Sequence, residues 1–388
     1  MGKILFAVTS PVSIPLLGPL PSMLSEIGWK VHLVSSALDQ GDRTNSELDH
    51  HCIDIERAPA PLADLRALIQ MTILLSKLKP EIVVGATPKA SFLSLTAGFL
   101  ARIPTRVYFL WGLRLETTSG PYRRLLWTIE RLTAKFSTHV VAVSPSLRDS
   151  YLRENLVRPQ KVELVSHGSS KGVNLETFRP ASQSEGPGLS EEFGAIGLVP
   201  GVPVIGFFGR LNEDKGLQAL ADARNILWHK QVDHQVLVVG NDETNGIFAE
   251  KLNLAGRPAV FLGGVRDLAR YYRMIDVLCL PTLREGMPNV CLEAAASGVP
   301  VVVSRVTGAI DAVEEGITGL VVEAGSPESL ADALQTLISQ TKLRNKLATA
   351  SRPWVSARFN EADVCQAYIR FFERLEKNPI DISGEFPT

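Results

Sequence analysis

The sequence predicts an α/β protein built from two doubly wound, Rossmann-like units in tandem. Two observations predict this fold class: short β-branched apolar runs alternate with longer amphipathic runs, and this alternation stops once and then restarts. Apolar runs that are continuous rather than alternating are typical of strands buried on both faces, and strand–helix–strand repeats imply parallel sheets. At about 150 residues per domain, the length of 388 residues also favours two domains.

The first unit is predicted to span residues 1–178. Its predicted strands are Ile4–Val8, Val31–Ser35, Ile82–Val84, Val107–Leu110 and Val140–Val143. Its predicted helices are Leu16–Ile27, Leu62–Leu78, Ala90–Ala101 and Tyr122–Phe136. Each helical run is long enough to cross back over a parallel sheet between two successive strands.

A stretch rich in Pro, Gly, Ser and Glu at residues 179–200 predicts a linker with room for one short helix, and the alternation restarts over residues 201–358. Predicted strands here are Val204–Phe208, Gln235–Val239, Val260–Leu262, Val277–Leu280, Val299–Val303 and Gly319–Val322. Predicted helices are Leu217–His229, Leu268–Ile275, Pro288–Ser297 and Ser329–Ile338. Residues 359–388 are predicted as a helix that packs back on the first unit, followed by a tail.

Composition and charge exclude several classes of protein. The chain is 45% hydrophobic and 21% charged, which is the range of soluble globular proteins rather than of disordered or fibrous chains. Its net charge of −1 argues against a nucleic-acid protein held by a general basic field. The two halves differ, because residues 1–178 carry 20 Lys and Arg against 15 Asp and Glu, whereas residues 179–388 carry 20 against 26.

Cysteine usage and hydropathy indicate a cytoplasmic protein. The four cysteines show no C-x-x-C spacing, which favours a reducing compartment. We expect no signal peptide, because the apolar run Lys3–Val8 is followed directly by Pro11 and Pro15 without a small-residue cleavage site. We also expect no membrane span, since no apolar run reaches about 20 residues.

The segment Tyr122–Phe136 is a basic amphipathic helix in pattern. Such a helix can dock on an anionic membrane surface, which would make the protein peripheral at the inner face of a membrane. The alternative is an ordinary surface helix that packs its apolar face inward and leaves its charges in water.

The first candidate functional motif follows the predicted strand Val204–Phe208. Gly209 and Arg210 come directly after the strand, and Lys215 and Gly216 precede the next helix. Ligands of doubly wound sheets bind at the carboxyl ends of strands, so two cations there suit a diphosphate. The alternative is that Lys215 is an exposed turn residue.

The second motif follows the predicted strand Val277–Leu280. Glu285 lies just beyond that strand, Pro288 suits the first turn of a helix, and Glu293 lies more than one turn into it. The free amides at such a helix start can face an anion, while the carboxylates can accept hydrogen bonds from hydroxyls. The alternative is that Glu285 caps the helix and Glu293 is a solvated helix residue.

Taken together, these motifs resemble the retaining glycosyltransferases of family four. The resemblance rests on Glu285-x7-Glu293 and on Gly209-Arg210-x4-Lys215-Gly216 upstream of it. Further similar segments are 85–94, 106–113, 167–180 and 316–322. This family has the GT-B fold, in which two doubly wound domains face each other across a cleft, so residues 1–178 would form the acceptor-side domain and residues 201–358 the nucleotide-sugar-binding domain. Within the family, the chain looks most similar to bacterial enzymes that build capsule, O-antigen or other lipid-carried glycans.

The resemblance implies transfer of a hexosyl or N-acetylhexosaminyl group from a nucleotide diphosphate, UDP above all, to a glycan or polyprenyl-linked acceptor. Arg210 and Lys215 would hold the diphosphate and stabilise its leaving charge, Glu293 would bind the ribose, and Glu285 would bind the transferred sugar. These implied catalytic residues are Glu285, Arg210 and Lys215. The other implied donor-side residues are Gly209, Gly240, Val265, Gly286, Met287, Pro288 and Asn289. No metal or cofactor is predicted, because no Asp-x-Asp pair follows a strand.

The first unit departs from the family pattern at two places. Trp111 stands where many members have a histidine that contacts the donor sugar, and the loop at residues 9–15 is not rich in glycine. The acceptor-side candidates are therefore Thr87, Lys89 and Trp111, since a lysine in a strand-end loop suits a phosphate-bearing acceptor. The alternative for Thr87 and Lys89 is a helix cap followed by a surface lysine.

Doubly wound units in general also serve three other functions. A GT-B sugar-nucleotide epimerase or a non-catalytic nucleotide-sugar-binding protein would share the diphosphate site. A nicotinamide dehydrogenase needs G-x-G-x-x-G after the first strand of a unit, and neither half has it.

The run Asp49–Cys52 has metal-ligating side chains. Neighbours on an extended segment alternate faces, however, and cannot all reach one ion, so we do not predict a metal site there.

Overall fold

The chain folds into two compact units. The structure, a computed structural model, describes residues 1–37, 48–56, 58–182, 186–253, 258–265 and 267–378. One unit comprises Met1–Gly172 together with Glu361–Thr388, and the other comprises Val173–Asn360. The stretch 179–200, predicted as a linker, lies within the second unit and contains helix α6 (Gly186–Ala195).

The first unit is built on a parallel sheet of seven strands. These are β1 (Lys3–Ala7), β2 (Lys30–Ser35), β3 (Asp49–Cys52), β4 (Ile82–Gly85), β5 (Thr105–Leu110), β6 (His139–Ala142) and β7 (Val162–Leu164). Their order in the sheet is β3-β2-β1-β4-β5-β6-β7, and every neighbouring pair is parallel. The central strands are buried on both faces, which is why their sequences are continuous apolar runs.

Among the described residues, six helices belong to the first unit. They are α1 (Leu20–Glu26), α2 (Pro61–Leu78), α3 (Pro88–Leu100), α4 (Gly120–Phe136), α5 (Pro145–Arg153) and α13 (Glu361–Lys377). Proline occupies the first turn of several of them, where its missing N–H would have no partner and its fixed φ suits the helix. Helix α3 contacts both α2 and α4, so these three form one layer.

The last helix, α13, completes the core of the first unit. Its Tyr368 and Phe372 are fully buried beside residues from the opposite end of the chain. The ring of Phe372 lies 5.9 Å from that of Phe6 on β1, and the ring of Tyr368 lies 5.2 Å from that of Phe109 on β5. Residues from the two ends of the chain therefore share one apolar core.

The second unit has a parallel sheet of six strands. These are β8 (Val204–Phe208), β9 (Gln235–Val239), β10 (Val260–Leu262), β11 (Val277–Leu280), β12 (Val301–Ser304) and β13 (Gly319–Val322). Their order is β10-β9-β8-β11-β12-β13. After α6, its helices are α7 (Leu217–His229), α8 (Ile247–Leu252), α9 (Ala269–Tyr272), α10 (Asn289–Ala296), α11 (Pro327–Ser339) and α12 (Thr341–Phe359). The predicted fold class of two doubly wound α/β units is confirmed.

No helix of the described residues is both long enough and apolar enough to span a bilayer.

Candidate functional site

The second-unit motifs meet where the strand order reverses direction. The chain builds outward from β8 through β9 to β10, then returns to add β11 on the other side of β8. Arg210 and Lys215 follow β8, and Glu285 follows β11, so both loops lie at the carboxyl edge beside this switch point. Crevices at such switch points are where open α/β sheets bind their ligands.

An ion pair joins the two loops at this point. Lys215 Nζ lies 2.5 Å from Glu285 Oε1, and the two side chains are only 20% and 13% exposed. The alternatives in which Lys215 is an exposed turn residue and Glu285 caps helix α10 are therefore wrong: the capping position is Pro288, and no side chain caps this described helix.

A second ion pair lies one residue away on each loop. Arg284 Nη2 is 2.5 Å from Asp214 Oδ2, and the backbone N–H of Leu283 donates to the Asp214 carbonyl at 2.8 Å. The hydroxyl of Thr282 also donates to that carbonyl, at 3.1 Å. Neither Asp214 nor Arg284 was predicted from the sequence; the signal available was the charge order Asp-Lys on one loop and Arg-Glu on the other.

Glycine makes the close approach of the two loops possible. Gly216 has φ of +67°, and a Cβ atom added there would lie 1.8 Å from the carbonyl oxygen of Pro281. Gly240, after β9, is equally constrained, since a Cβ there would lie 1.9 Å from the carbonyl oxygen of Gly209. Any larger residue at Gly216 or Gly240 would push neighbouring strand-end loops apart.

Arg210 is held by a different carboxylate. Its Nη1 lies 2.7 Å and 3.1 Å from the two oxygens of Glu243, and Asn212 Nδ2 donates to the same carboxylate at 3.2 Å. The guanidinium remains more than half exposed. Arg210 therefore lies at the same sheet edge as Lys215, but the two cations pair with different carboxylates, Glu243 and Glu285.

Glu293 lies on the first turns of α10 and is 6% exposed, so it is not a solvated helix residue. The hydroxyl of Tyr272 donates to Glu293 Oε2 at 2.9 Å. Burial, and then the charge of Glu293, raise the pKa of Tyr272 well above its usual range, so the phenol stays a hydrogen-bond donor. Tyr272 was not predicted as a site residue, because nothing in the spacing of the sequence links it to Glu293.

Helix α10 also carries the thiol of Cys291 and the amide of Asn289. Burial, and then the charge of Glu285, raise the pKa of the Cys291 thiol, which is fully buried. At the start of the helix, the buried Oδ1 of Asn289 accepts no hydrogen bond from any described residue. A buried acceptor without a donor is costly, so this oxygen is suited to a hydroxyl donor from a ligand.

The remaining donor-side candidates line the same edge. Gly286, Met287 and Pro288 are buried in the loop that leads into α10, and Gly264, next to Val265, donates its N–H to Asn241 Oδ1 at 2.9 Å. The loops after β8, β9, β10 and β11, together with the start of α10, therefore carry the donor-side residues that the sequence predicts.

The acceptor-side candidates lie in the first unit. Thr87 occupies the N-cap position of α3, but its side chain makes no capping hydrogen bond; instead, its Oγ1 accepts a hydrogen bond from the Thr9 N–H at 2.8 Å. Lys89 Nζ pairs with Asp64 at 2.6 Å and donates to the Ala58 carbonyl at 2.5 Å, so it is not a free surface lysine. Trp111 is half-buried against the core of the unit, and its buried Nε1 has no acceptor among the described residues.

No group of three or more His, Cys, Asp or Glu side chains is arranged to hold a metal ion in the described parts of the chain. On β3, His50 and His51 instead bond to neighbours on β2: His50 Nε2 lies 3.0 Å from Ser35 Oγ, and His51 Nε2 lies 3.1 Å from His32 Nδ1. The two imidazoles point to opposite faces of the sheet, as the alternation of an extended segment requires.

Two family models match the chain, one in each unit. Residues 22–168 match the glycosyl transferase 4-like domain, and residues 202–340 match the glycosyl transferases group 1.

Curated relatives extend this match to nearly the whole chain. The capsular polysaccharide biosynthesis glycosyltransferase CapM of Staphylococcus aureus is 34% identical over 361 residues, which cover 92% of this chain and 93% of CapM. The UDP-Gal:alpha-D-GlcNAc-diphosphoundecaprenol alpha-1,3-galactosyltransferase of Escherichia coli is 28% identical over 77% of this chain and 76% of its own.

Solved structures share the fold. HepE of Anabaena, in complex with UDP and glucose, superposes with a TM-score of 0.79 at 20% identity and covers 97% of this chain and 100% of its own. Sucrose-phosphate synthase from Thermosynechococcus elongatus gives a TM-score of 0.79 at 19% identity over 97% and 99%. At these identities the likeness shows the fold alone. The two family models and the relationship to CapM confirm the resemblance seen in the sequence: the chain belongs to the family-four glycosyltransferases and has the GT-B fold.

Proposed function

We propose that this glycosyltransferase is a retaining enzyme that moves a hexosyl or N-acetylhexosaminyl group from a UDP-sugar to a glycan or lipid-linked acceptor in the synthesis of a bacterial surface polysaccharide. The observation that carries the proposal is the shielded Lys215–Glu285 pair at the switch point of the second sheet. The activities of relatives support the chemistry, since one uses UDP-Gal and a diphosphoundecaprenol-linked acceptor and another acts in capsule synthesis.

Lys215 and Arg210 would hold the donor diphosphate. An ammonium group has three N–H donors, so Lys215 can keep Glu285 and still donate to a phosphate oxygen. Arg210 is exposed, and its guanidinium is a planar fork of N–H donors that matches a phosphate. When the donor binds, a phosphate oxygen would bind this guanidinium in place of Glu243 or beside it.

Glu293 and Asn289 would hold the hydroxyls of the donor. A carboxylate has about four acceptor sites, so Glu293 can keep the hydrogen bond from Tyr272 and also accept from a ribose hydroxyl. The orphaned Asn289 Oδ1 and the Glu285 carboxylate would accept from hydroxyls of the transferred sugar. A carboxylate that is already oriented by an ion pair loses little freedom on binding.

In the transfer step, the acceptor oxygen forms a bond to the anomeric carbon while the bond from that carbon to the diphosphate oxygen breaks. The acceptor proton passes to the leaving diphosphate oxygen, which is how a front-face reaction retains configuration without a protein nucleophile. Negative charge grows on the diphosphate, and the preorganised Lys215 and Arg210 cations stabilise it.

On the acceptor side we keep Thr87, Lys89 and Trp111 as candidates. Lys89 donates to the Ala58 carbonyl and forms an ion pair with Asp64, and an ammonium with three N–H donors can keep both contacts and still donate to a phosphate of the acceptor. The indole N–H of Trp111 is also suited to an acceptor oxygen. We further propose a cytoplasmic location, since all four cysteines are free thiols.

The test is a pair of substitutions with a matched control. Lys215→Ala and Glu293→Gln are each expected to lower transfer from a UDP-sugar by about a hundredfold or more, because each removes a charged contact to the donor. Lys230→Ala removes a lysine that is paired with Asp332 on the surface of the same unit, and it should leave turnover unchanged.

The same proteins should be compared by thermal shift with UDP, GDP and ADP sugars. Wild type should gain stability with UDP-sugars, and Lys215→Ala should gain less, because ligand binding stabilises the folded state by mass action. Near-wild-type turnover in both Lys215→Ala and Glu293→Gln would contradict the assignment of the donor site. Donor binding by wild type without transfer would instead support the non-catalytic alternative.

A further inference from the structure

Tyr272 is a buried tyrosine whose hydroxyl lies against helix α10. The side chain is shielded from water, since Tyr272 is 0% exposed. Its hydroxyl oxygen lies 2.9 Å from Glu293 Oε2 and 3.1 Å from the carbonyl oxygen of Val290. A hydroxyl has a single proton to donate, and an ionised carboxylate attracts it more strongly than a neutral carbonyl does. The phenol therefore donates to Glu293, and the Val290 carbonyl is the weaker second acceptor.

The ring of Tyr272 is held in place by aromatic neighbours. Its centroid lies 4.7 Å from that of Phe208 at an interplanar angle of 66°, and 5.7 Å from that of Phe178 at 76°. Edge-to-face contacts of this kind are favourable and fix the orientation of a ring. Phe208 is the last residue of β8, directly before Gly209 and Arg210. The hydroxyl of Tyr272 is thus held at a fixed place between the end of β8 and the first turns of α10.

A fixed donor matters for Glu293 because a glutamate side chain has three rotatable bonds and a broad preference at the last one. A hydrogen bond from Tyr272 to Oε2 restricts that last rotation. A carboxylate has about four acceptor sites, so it can keep this bond and still accept from hydroxyls of a ligand. Orienting the carboxylate before the ligand arrives lowers the entropy cost of binding.

We propose that Tyr272 is a positioning residue that orients the Glu293 carboxylate, and that this pair makes the donor site prefer ribonucleotides to nucleotides without ribose hydroxyls. The role of Tyr272 rests on the proposed function, in which Glu293 accepts hydrogen bonds from the ribose of the donor. A nucleotide without those hydroxyls would leave a buried carboxylate short of donors, which is costly. Its diphosphate would still bind Lys215 and Arg210.

The phenol of Tyr272 acts as a hydrogen-bond donor and not as an acid or base. Burial, and then the charge of Glu293, raise the pKa of Tyr272 well above its usual range, so the hydroxyl keeps its proton from about pH 6 to about pH 9. The effect of removing the hydroxyl should therefore be the same across this range, whereas the effect of removing a general acid or base would change with pH.

The experiment is calorimetric titration of the whole 388-residue chain with UDP and with 2′,3′-dideoxy-UDP, which lacks both ribose hydroxyls. Wild type should bind UDP at least about tenfold more tightly than dideoxy-UDP. Tyr272→Phe keeps the ring and removes only the hydroxyl, so it should bind dideoxy-UDP as wild type does and prefer UDP by about threefold or less. This preference is a ratio of two Kd values from one preparation, so a loss of folded protein does not change it.

A double-mutant cycle tests whether Tyr272 acts through Glu293. Glu293→Ala and Tyr272→Phe/Glu293→Ala should show the same low preference for UDP, because the phenol has no carboxylate to orient in either. In Glu293→Ala the phenol can still donate to the Val290 carbonyl, so it is not left unpaired. Tyr271→Phe is the matched control: it removes the hydroxyl of the neighbouring buried tyrosine of α9, which accepts from Arg270, and should keep the wild-type preference.

Turnover separates positioning from chemistry. In Tyr272→Phe the KM for a UDP-sugar should rise, while kcat at saturating donor should stay within about threefold of wild type, because the phenol contacts Glu293 rather than the reacting carbon. This ratio of KM to kcat effects should not change with pH.

The outcomes that would contradict this role differ from those that would contradict UDP-sugar transfer. If wild type prefers UDP and Tyr272→Phe keeps or increases that preference, Tyr272 does not position Glu293, although the donor site stands. If wild type binds UDP and dideoxy-UDP equally, the ribose contact of Glu293 is wrong and the role of Tyr272 is wrong with it. If wild type binds neither nucleotide, the proposed function itself is wrong.

Discussion

The carboxyl group of Glu130 lies inside the first unit, although α4 is a surface helix. The side chain is 8% exposed, and the hydroxyl of Tyr108 donates to its Oε2 at 3.0 Å. Burial raises the pKa of Glu130 to about 7 from an ordinary value of 4.5. A protonated carboxyl at this position removes one negative charge from a layer that is otherwise cationic.

This shift predicts a pH dependence of stability. The folded pKa lies above the unfolded one, so the folded state holds the proton more tightly, and the resulting stability is lost as pH rises from 4.5 through about 7. Glu130→Gln should therefore stabilise the protein relative to wild type more at pH 8 than at pH 5, by on the order of 3 kcal/mol at most. Denaturant titrations at both pH values measure this, with the exposed Glu191→Gln as control. An equal effect of Glu130→Gln at the two pH values would contradict the expectation.

A second prediction concerns the ion pair Asp214–Arg284. It lies next to Lys215–Glu285 and joins the same two loops, so it should position the site without contacting the donor. Asp214→Ala and Arg284→Ala should each lower kcat/KM by about tenfold, and the exchanged pair Asp214→Arg/Arg284→Asp should recover part of the loss. Turnover of wild type and these three variants measures the coupling. Additive losses, with no recovery in the exchanged pair, would show that the two side chains act independently.

Among the elements, the loop after β8 depends on Gly216. Gly216→Ala places a methyl group against the Pro281 carbonyl and also strains a backbone at φ of +67°. We expect this variant to lower the free energy of unfolding by several kcal/mol, or to lose the UDP-dependent thermal shift if the two loops separate. Gly246→Ala is the matched control: its φ is +86°, but nothing lies within 4 Å of the added Cβ, so it should cost only about 1 kcal/mol. Equal losses in the free energy of unfolding for the two variants would mean that the loops after β8 and β11 can move apart without penalty.

The sequence predicted all six strands of the second sheet but missed both edge strands of the first, β3 and β7. Strands β8 and β9 have the bounds that their apolar runs predicted, because both faces of a central strand are buried. Strand β3 was missed, since its residues Asp49–Cys52 are polar and lie at an open edge. Helix α12 was missed because Pro353 interrupts its pattern, although the structure keeps the helix through that residue.

The last helix of the chain, α13, belongs to the first unit. A substitution in the core of α13 should therefore destabilise the first unit rather than the second. Phe372→Ala removes a fully buried ring that packs against Phe6 and Phe109. It should cost about 3–5 kcal/mol in the first unit while UDP-sugars still stabilise the second. Limited proteolysis with and without UDP, followed by mass analysis of the fragments, distinguishes the units. Cleavage confined to the second unit would contradict the assignment of α13 to the first core.

The sequence by itself determined the two α/β units, the family, and the loops that carry Arg210, Lys215, Glu285 and Glu293, because those features depend on local periodicity and on motifs next to strands. Only the tertiary structure decided which charges meet. The pairs Lys215–Glu285 and Asp214–Arg284 join loops 70 residues apart. Pairing and exposure depend on which distant segments share a sheet edge or a layer, and spacing along one chain does not contain that information.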